Sequence, residues 1–482
     1  MGRADWTCSR RWRRRAAGLP PVSAPVTIGH RLVAIMRGWS PEWRDVALYL
    51  ASAVFALTTV LFAGIPLYRQ WGALALGPYA VAAAGMAVVA RRASLARTVP
   101  PDQGGSPGGP DPLGETSFHH ARRFRIARLV ACVVVLAGAT VVPLALEVVW
   151  ASEGNAAAHV QPEVLVVERA GVRADAGRDP YQVIDRNGHI LIHQRSLPVY
   201  ELYYPYLPGM VVFGFSSGSK VEARLTDARL QFLLFTVLVT VIALSRLRPA
   251  TDARFRALQV LTVLPAAALP LATGGDDMPV VALMLAGLVA LQRRCPLIAG
   301  LAIGAASSLK FTAWPVAVLA GWAALDKEGR RSIWRYVVGL LLVIGPIVVP
   351  VALRNPSAFI DNVIKFPLGL AGVASPAASP LPGHFFVTAF PGLHRPYVVV
   401  IGVIGLALLI RHLLVKPPVD AAGVAQLTGW VMLVAVVLAP ATRVGYLLYP
   451  INLFVWSWML RRADEPERVP ADDVGGDQLL PA

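Results

Sequence analysis

Apolar residues run in long blocks broken by short polar stretches, at 46–67, 72–90, 126–149, 229–246, 257–273, 277–292, 296–309, 311–325, 334–353, 396–414, 421–440 and 445–461. A helix needs about 20 apolar residues to cross a bilayer, and a helix that is apolar all round must face lipid or be enclosed by other helices. The pattern therefore predicts an all-α polytopic membrane protein, a bundle of about twelve transmembrane helices. The pair 296–325 admits two readings, because its halves are short and Lys310 stands between them: two spans, or one long tilted helix.

Composition agrees, with 55% hydrophobic and 15% charged residues over 482 positions. The net charge of +16 would suggest nucleic acid in a soluble protein. Here the basic residues cluster between apolar blocks, as in Arg246, Arg248, Arg254 and Arg256, then Arg293 and Arg294, then Lys327, Arg330, Arg331 and Arg335. With two short spans at 296–325 all three groups face the cytoplasm, which fits the positive-inside rule and predicts both termini inside a plasma membrane. The bilayer is thus the expected partner of the basic residues, and nucleic acid is not. Cys8, Cys132 and Cys295 lie too far apart for a metal or disulfide framework.

The expected organisation is a basic tail at 1–45, a two-helix extension at 46–91, a disordered Pro/Gly-rich linker at 92–125, a membrane body at 126–461 and a tail at 462–482. Two long outer loops, 150–228 and 354–395, interrupt the body. The Ser9–Arg15 run lacks the apolar segment that a twin-arginine signal needs.

Polar residues gather on the outer side of this topology, and charges beside membrane spans are costly enough to mark functional candidates. Glu163 opens a predicted helix at Pro162 whose apolar face, Val164, Val167, Ala170 and Gly171, is expected to lie on the bilayer surface. It could stabilise the helix N-terminus or serve as a general base. Asp179, before Pro180, is a turn former or a second candidate base. Asp276 and Asp277 could cap a helix, bind a metal or hold a sugar hydroxyl. Lys310 and Arg443 either reach out to the aqueous surface or meet an anion. Arg354, Lys365 and His384 sit in a loop punctuated by Pro and Gly. Tyr203–Gly209 reads as an interfacial or re-entrant aromatic segment. His189 and His193 have metal-like spacing without an evident third ligand.

Several stretches together resemble one family. They are Glu163 to Tyr181 ending Gly177-Arg178-Asp179-Pro180-Tyr181, the Tyr204-Pro205-Tyr206-Leu207-Pro208 turn, Thr226-Asp227-Ala228-Arg229-Leu230, Gly274-Gly275-Asp276-Asp277 and the Lys310 segment. From about 126 to 461 the chain is similar to GT-C superfamily membrane glycosyltransferases, specifically the actinobacterial proteins of family 87, which resemble polyprenol-phosphate-mannose-dependent mannosyltransferases. The resemblance implies a GT-C-like bundle with a large first extracytoplasmic loop in the body. It implies transfer of a hexose, mannose among the choices, from a polyprenyl-phosphate donor to a cell-envelope glycan or glycolipid, with inversion. Glu163 stands where the family usually places an aspartate base, with Asp179 second. Lys310, Arg354, Lys365, Arg443 and His384 would hold the donor phosphate. Asp276, Asp277, Tyr181 and Tyr204 would hold sugar or acceptor. No cofactor is expected, and assistance by a divalent metal stays open. A saccharide flippase and a non-catalytic envelope-assembly subunit are the competing readings; the chain shows no internal repeat of the kind many transporters have.

Overall fold

The computed structural model describes residues 39–98, 112–154, 156–181, 198–215, 224–247, 251–328, 330–373 and 375–463. Their regular structure is helical, and one isolated parallel bridge, Ala378 with Thr442, is the extended pairing among them. The helices used below are α1 (Pro41–Phe62), α2 (Pro66–Thr98), α3 (Pro112–Leu136), α4 (Val142–Ser152), α5 (Pro162–Asp175), α6 (Ala228–Ser245), α7 (Thr251–Thr262), α8 (Pro265–Thr273), α9 (Asp277–Gln292), α10 (Pro296–Leu309), α11 (Trp314–Glu328), α12 (Arg330–Arg354), α13 (Pro382–Ala389), α14 (His394–Val415), α15 (Ala421–Leu438) and α16 (Leu448–Ala463).

Each of the twelve apolar blocks falls mainly on helix, and among the described residues eight helical stretches are long and apolar enough to cross a membrane. The segments 277–292, 296–309 and 311–324 are shorter apolar helices. Proline at the first helical position starts α1, α5 and α10, where its missing N–H costs no bond. Asp227 and Asp420 cap α6 and α15 by accepting from the N–H of Arg229 (2.9 Å) and of Gly423 (2.6 Å). At Lys310 the backbone turns extended, so 296–325 is two helices joined by a short 3₁₀ turn, Phe311–Ala313.

α9 is enclosed nearly all round and forms the centre of the body, whereas α14 is almost wholly exposed on its flank. Both are apolar through their middle turns, as helices facing protein and lipid alike should be.

The extension packs against the body. The α1–α2 pair packs with α3 and with Val263, Ala268 and Ala272 of the α7–α8 segment in one apolar cluster. The Tyr79 hydroxyl donates to the Val263 carbonyl (2.6 Å), and the Trp71 indole N–H donates to the Ala139 carbonyl (2.8 Å). Near the far end Asp45 meets Arg128 (2.7 Å) and Arg256. At the two ends of the 92–125 stretch, α2 runs on to Thr98 and α3 begins at Pro112.

One expectation is corrected at α5. Its apolar face, Val164, Val167, Ala170 and Gly171, is buried against protein, not laid on a bilayer surface. It packs on the 3₁₀ segment Pro208–Gly214, where Gly171 and Gly214 meet backbone to backbone. A Cβ on Gly171 would lie 2.1 Å from the Gly214 carbonyl carbon, and one on Gly214 would lie 2.1 Å from the Val167 oxygen. The Tyr203–Gly214 stretch is therefore an inward-packed irregular segment and not a crossing.

Candidate active site

The start of α5, the 274–276 turn, the α10–α11 break and the Arg443 loop converge at one end of the body. Glu163 pairs with Arg443 through Oε1, while its Oε2 is enclosed and has no partner among the described residues. Lys310 Nζ lies between two carboxylates, 2.9 Å from Asp276 Oδ2 and 2.5 Å from Asp277 Oδ1. The Tyr449 hydroxyl donates to the same Asp277 oxygen (2.5 Å) and accepts from Thr312 Oγ1 (2.7 Å). Tyr206 and Tyr446 present their rings to the Lys310 ammonium at 5.3 and 5.6 Å, a placement that stabilises a desolvated cation.

The backbone explains why these groups meet. Gly274 has φ of +118°, the left-handed region, and a Cβ there would lie 2.1 Å from Val164 Cγ2. The turn that presents Asp276 thus rests directly beside Glu163. The Leu207 N–H donates to the Leu309 carbonyl (3.0 Å), which registers Tyr206 against Lys310. The Thr442 N–H donates to the Ala377 carbonyl (2.8 Å), and the Ser379 N–H donates to the Thr442 carbonyl (2.9 Å), pinning the loop that carries Arg443. Gln161, just before α5, donates through Nε2 to the Tyr68 hydroxyl oxygen (3.0 Å) and to Thr273 Oγ1 (2.7 Å).

Three carboxylates face two cations here, so the cluster favours uptake of a proton. Burial pushes the Asp276 carboxyl up, against the pull of Lys310 and with reinforcement from Asp277. Burial works against the Arg443 charge, but Glu163 beside it outweighs burial and holds the guanidinium above its ordinary value. Further along α5, burial and then Asp227 push the Glu168 carboxyl up to about 6, and its Oε1 accepts from the Ala228 N–H (3.2 Å).

Five sequence candidates are therefore brought together: Glu163, Asp276, Asp277, Lys310 and Arg443. Tyr181 and Tyr204 stand behind them, buried. The Tyr181 hydroxyl donates to the Tyr206 carbonyl (2.6 Å), and the Tyr204 ring packs on Tyr206 at 5.2 Å. Asp179 closes a turn by accepting from the Tyr181 N–H (2.8 Å). Arg354 is exposed at the end of α12. Lys365 pairs with Asp361 one turn away (2.5 Å), and His384 Nδ1 bonds the Pro440 carbonyl (2.8 Å). None of these last four has a described contact with the five. His189 and His193 lie outside the described residues, and the described residues hold no cluster of acidic, His and Cys side chains fit for a metal.

Tyr68, Gln161, Thr312, Tyr446 and Tyr449 are site residues that sequence reasoning missed. Tyr446 and Tyr449 carried one usable signal, two tyrosines three and six residues beyond Arg443. Tyr68 carried none.

A comparison with curated proteins gives no match. The family model described as Glycosyltransferase family 87 matches residues 222–440, a stretch that includes Asp276, Asp277 and Lys310 and ends just before Arg443. Over those residues the chain is similar to glycosyltransferase family 87, and its long apolar helices are those of a polytopic membrane protein.

Proposed function

We infer that the protein transfers a hexose, with mannose the specific choice, from a polyprenyl-phosphate sugar to a cell-envelope glycan or glycolipid. The reaction runs on the extracytoplasmic face of the plasma membrane, with both chain termini inside. The observation that carries this reading is Glu163, which has one oxygen held by Arg443 and the other without a partner among the described residues, in a cluster already rich in carboxylates. The first contact fixes the carboxylate's direction; the second leaves a lone pair to accept a proton.

In the proposed step the acceptor hydroxyl oxygen attacks the anomeric carbon from the side opposite the phosphate. The bond between that carbon and the phosphate oxygen breaks, and the electron pair leaves with polyprenyl phosphate. The hydroxyl proton passes to Glu163, and the new glycosidic bond has inverted configuration. An anionic leaving group needs no acid, only cations, and Arg443 and Lys310 are at hand. Asp276 and Asp277 hold Lys310 in place, and their remaining oxygens suit sugar hydroxyls. No nucleotide site is needed, because the donor arrives in the membrane already activated.

Glu163→Gln tests the reading in a reconstituted transfer assay. Turnover is expected to fall by about 100-fold or more with the unfolding temperature nearly unchanged. Unchanged turnover would remove Glu163 from the mechanism.

A further inference from the structure

A cavity of about 440 Å³ is lined by Gln70, Trp150, Glu153, Gly154 and His159. Its walls come from both sides of the seam between the extension and the body: Gln70 from α2, Trp150 from α4, and His159 from the turn before α5. Gln70 lies two residues beyond Tyr68, and His159 two before Gln161, whose side chains are bonded to each other. The cavity therefore adjoins the start of the helix that carries Glu163.

Its chemistry is mixed in a particular way. Trp150 offers an indole whose ring lies 5.5 Å from the His159 imidazole. His159 Nδ1 is taken by Glu147 Oε2 (2.8 Å), which leaves Nε2 as the ring nitrogen without a partner among the described residues. Gln70 brings an amide and Glu153 an exposed carboxylate. Gln70 Oε1 and, behind the cavity, Glu147 Oε1 are enclosed acceptors with no donor among the described residues. An aromatic face surrounded by planar hydrogen-bonding groups suits a pyranose ring, which has an apolar C–H face and a rim of hydroxyls. The volume is within the range of about 300–1,000 Å³ usual for small-ligand sites.

We propose that this seam cavity is the acceptor site, taking a carbohydrate ring between Trp150, His159 and Gln70 so that its reactive hydroxyl points toward Glu163. The proposal rests on the transferase reading above and adds to it a saccharide acceptor and a role for the N-terminal helix pair, which lies outside the family match. The extension supplies one wall of the site.

The test uses the full chain in lipid nanodiscs with two readouts. In the transfer assay, Trp150→Ala and Gln70→Leu are each expected to raise the acceptor KM about tenfold. The donor KM and acceptor-free hydrolysis of the donor should stay within about twofold. Saturation-transfer NMR with methyl α-D-mannopyranoside reads binding without turnover, and the signal seen with the wild-type chain should vanish in Trp150→Ala. If transfer proceeds and neither substitution moves the acceptor KM, the acceptor site is wrong and the transferase reading stands. If the wild-type chain transfers nothing yet binds the glycoside in a Trp150-dependent way, the carbohydrate site stands and the transferase reading falls. Glycoside binding that is undiminished in both variants overturns the site.

Discussion

Two ionic clusters sit at opposite ends of the seam between extension and body. At one end Asp45, fully buried, has a cation on each oxygen, Arg256 on Oδ1 and Arg128 on Oδ2, and Arg128 also reaches Asp252 (2.7 Å). At the other end Glu163 has a cation on one oxygen and no partner among the described residues on the second. Both ends bury carboxylates against basic side chains, yet they have different uses. A carboxylate saturated by guanidinium groups is a clamp, because protonating it would strand two cations. A carboxylate with one oxygen free can take a proton and remain paired.

This contrast can be broken by substitution. Lys310→Met and Asp45→Asn each remove one partner of a buried ionic group, a change that typically costs about 3–5 kcal/mol, so both should lower the unfolding temperature clearly. They should diverge in function: folded Lys310→Met is expected to lose turnover, whereas folded Asp45→Asn retains it. Equal losses of turnover per folded molecule would erase the distinction between clamp and reactive centre.

Glu168 sharpens the comparison at a smaller scale, since its bonded partner is a neutral N–H. A carboxyl raised from 4.5 to about 6 favours the protonated folded state. Its contribution to stability is fully present below pH 4.5 and is lost as pH rises through about 6. The shift corresponds to about 2 kcal/mol, reduced to about 1 kcal/mol by partial solvent screening. Glu168→Gln should flatten the fall of unfolding temperature between pH 4.5 and 6, and an unchanged slope would assign the fall to another group. The smallest effect belongs to Lys365→Ala, which removes an exposed pair with Asp361. It should cost no more than about 0.5 kcal/mol and leave the transfer rate within about twofold.

The helical character of the chain was legible because apolar blocks near the length of a crossing have few other uses. Which helices face lipid was not. α9 and α14 read alike, since lipid and a protein interior select the same side chains, and only their packing separates the centre of the bundle from its flank. Glu163, Asp276, Asp277, Lys310 and Arg443 were legible because a charge next to a membrane span needs a reason. Their pairing was hidden: sequence offered Lys310 and Arg443 either the aqueous surface or an anion such as phosphate, and the fold gives both to carboxylates of the chain itself. Asp179 and Lys365 looked equally chemical, but each is satisfied locally, one by a turn and one by a neighbour on its own helical turn. Tyr68 and Gln70 were invisible because nothing in an isolated α2 says that its first turn ends beside α5.

The contact between Gly171 and Gly214 has a consequence for how this protein can vary. The helix bearing Glu163 is seated by main chain against main chain, so the location of its carboxylate does not depend on how well a set of side chains happens to interlock. Residues on the remaining surface of that helix can drift without moving the reactive group, provided these two positions never acquire a side chain. A single methyl there would wedge the two segments apart, and a shift of about 1 Å at a reacting centre can cost about 100-fold in rate.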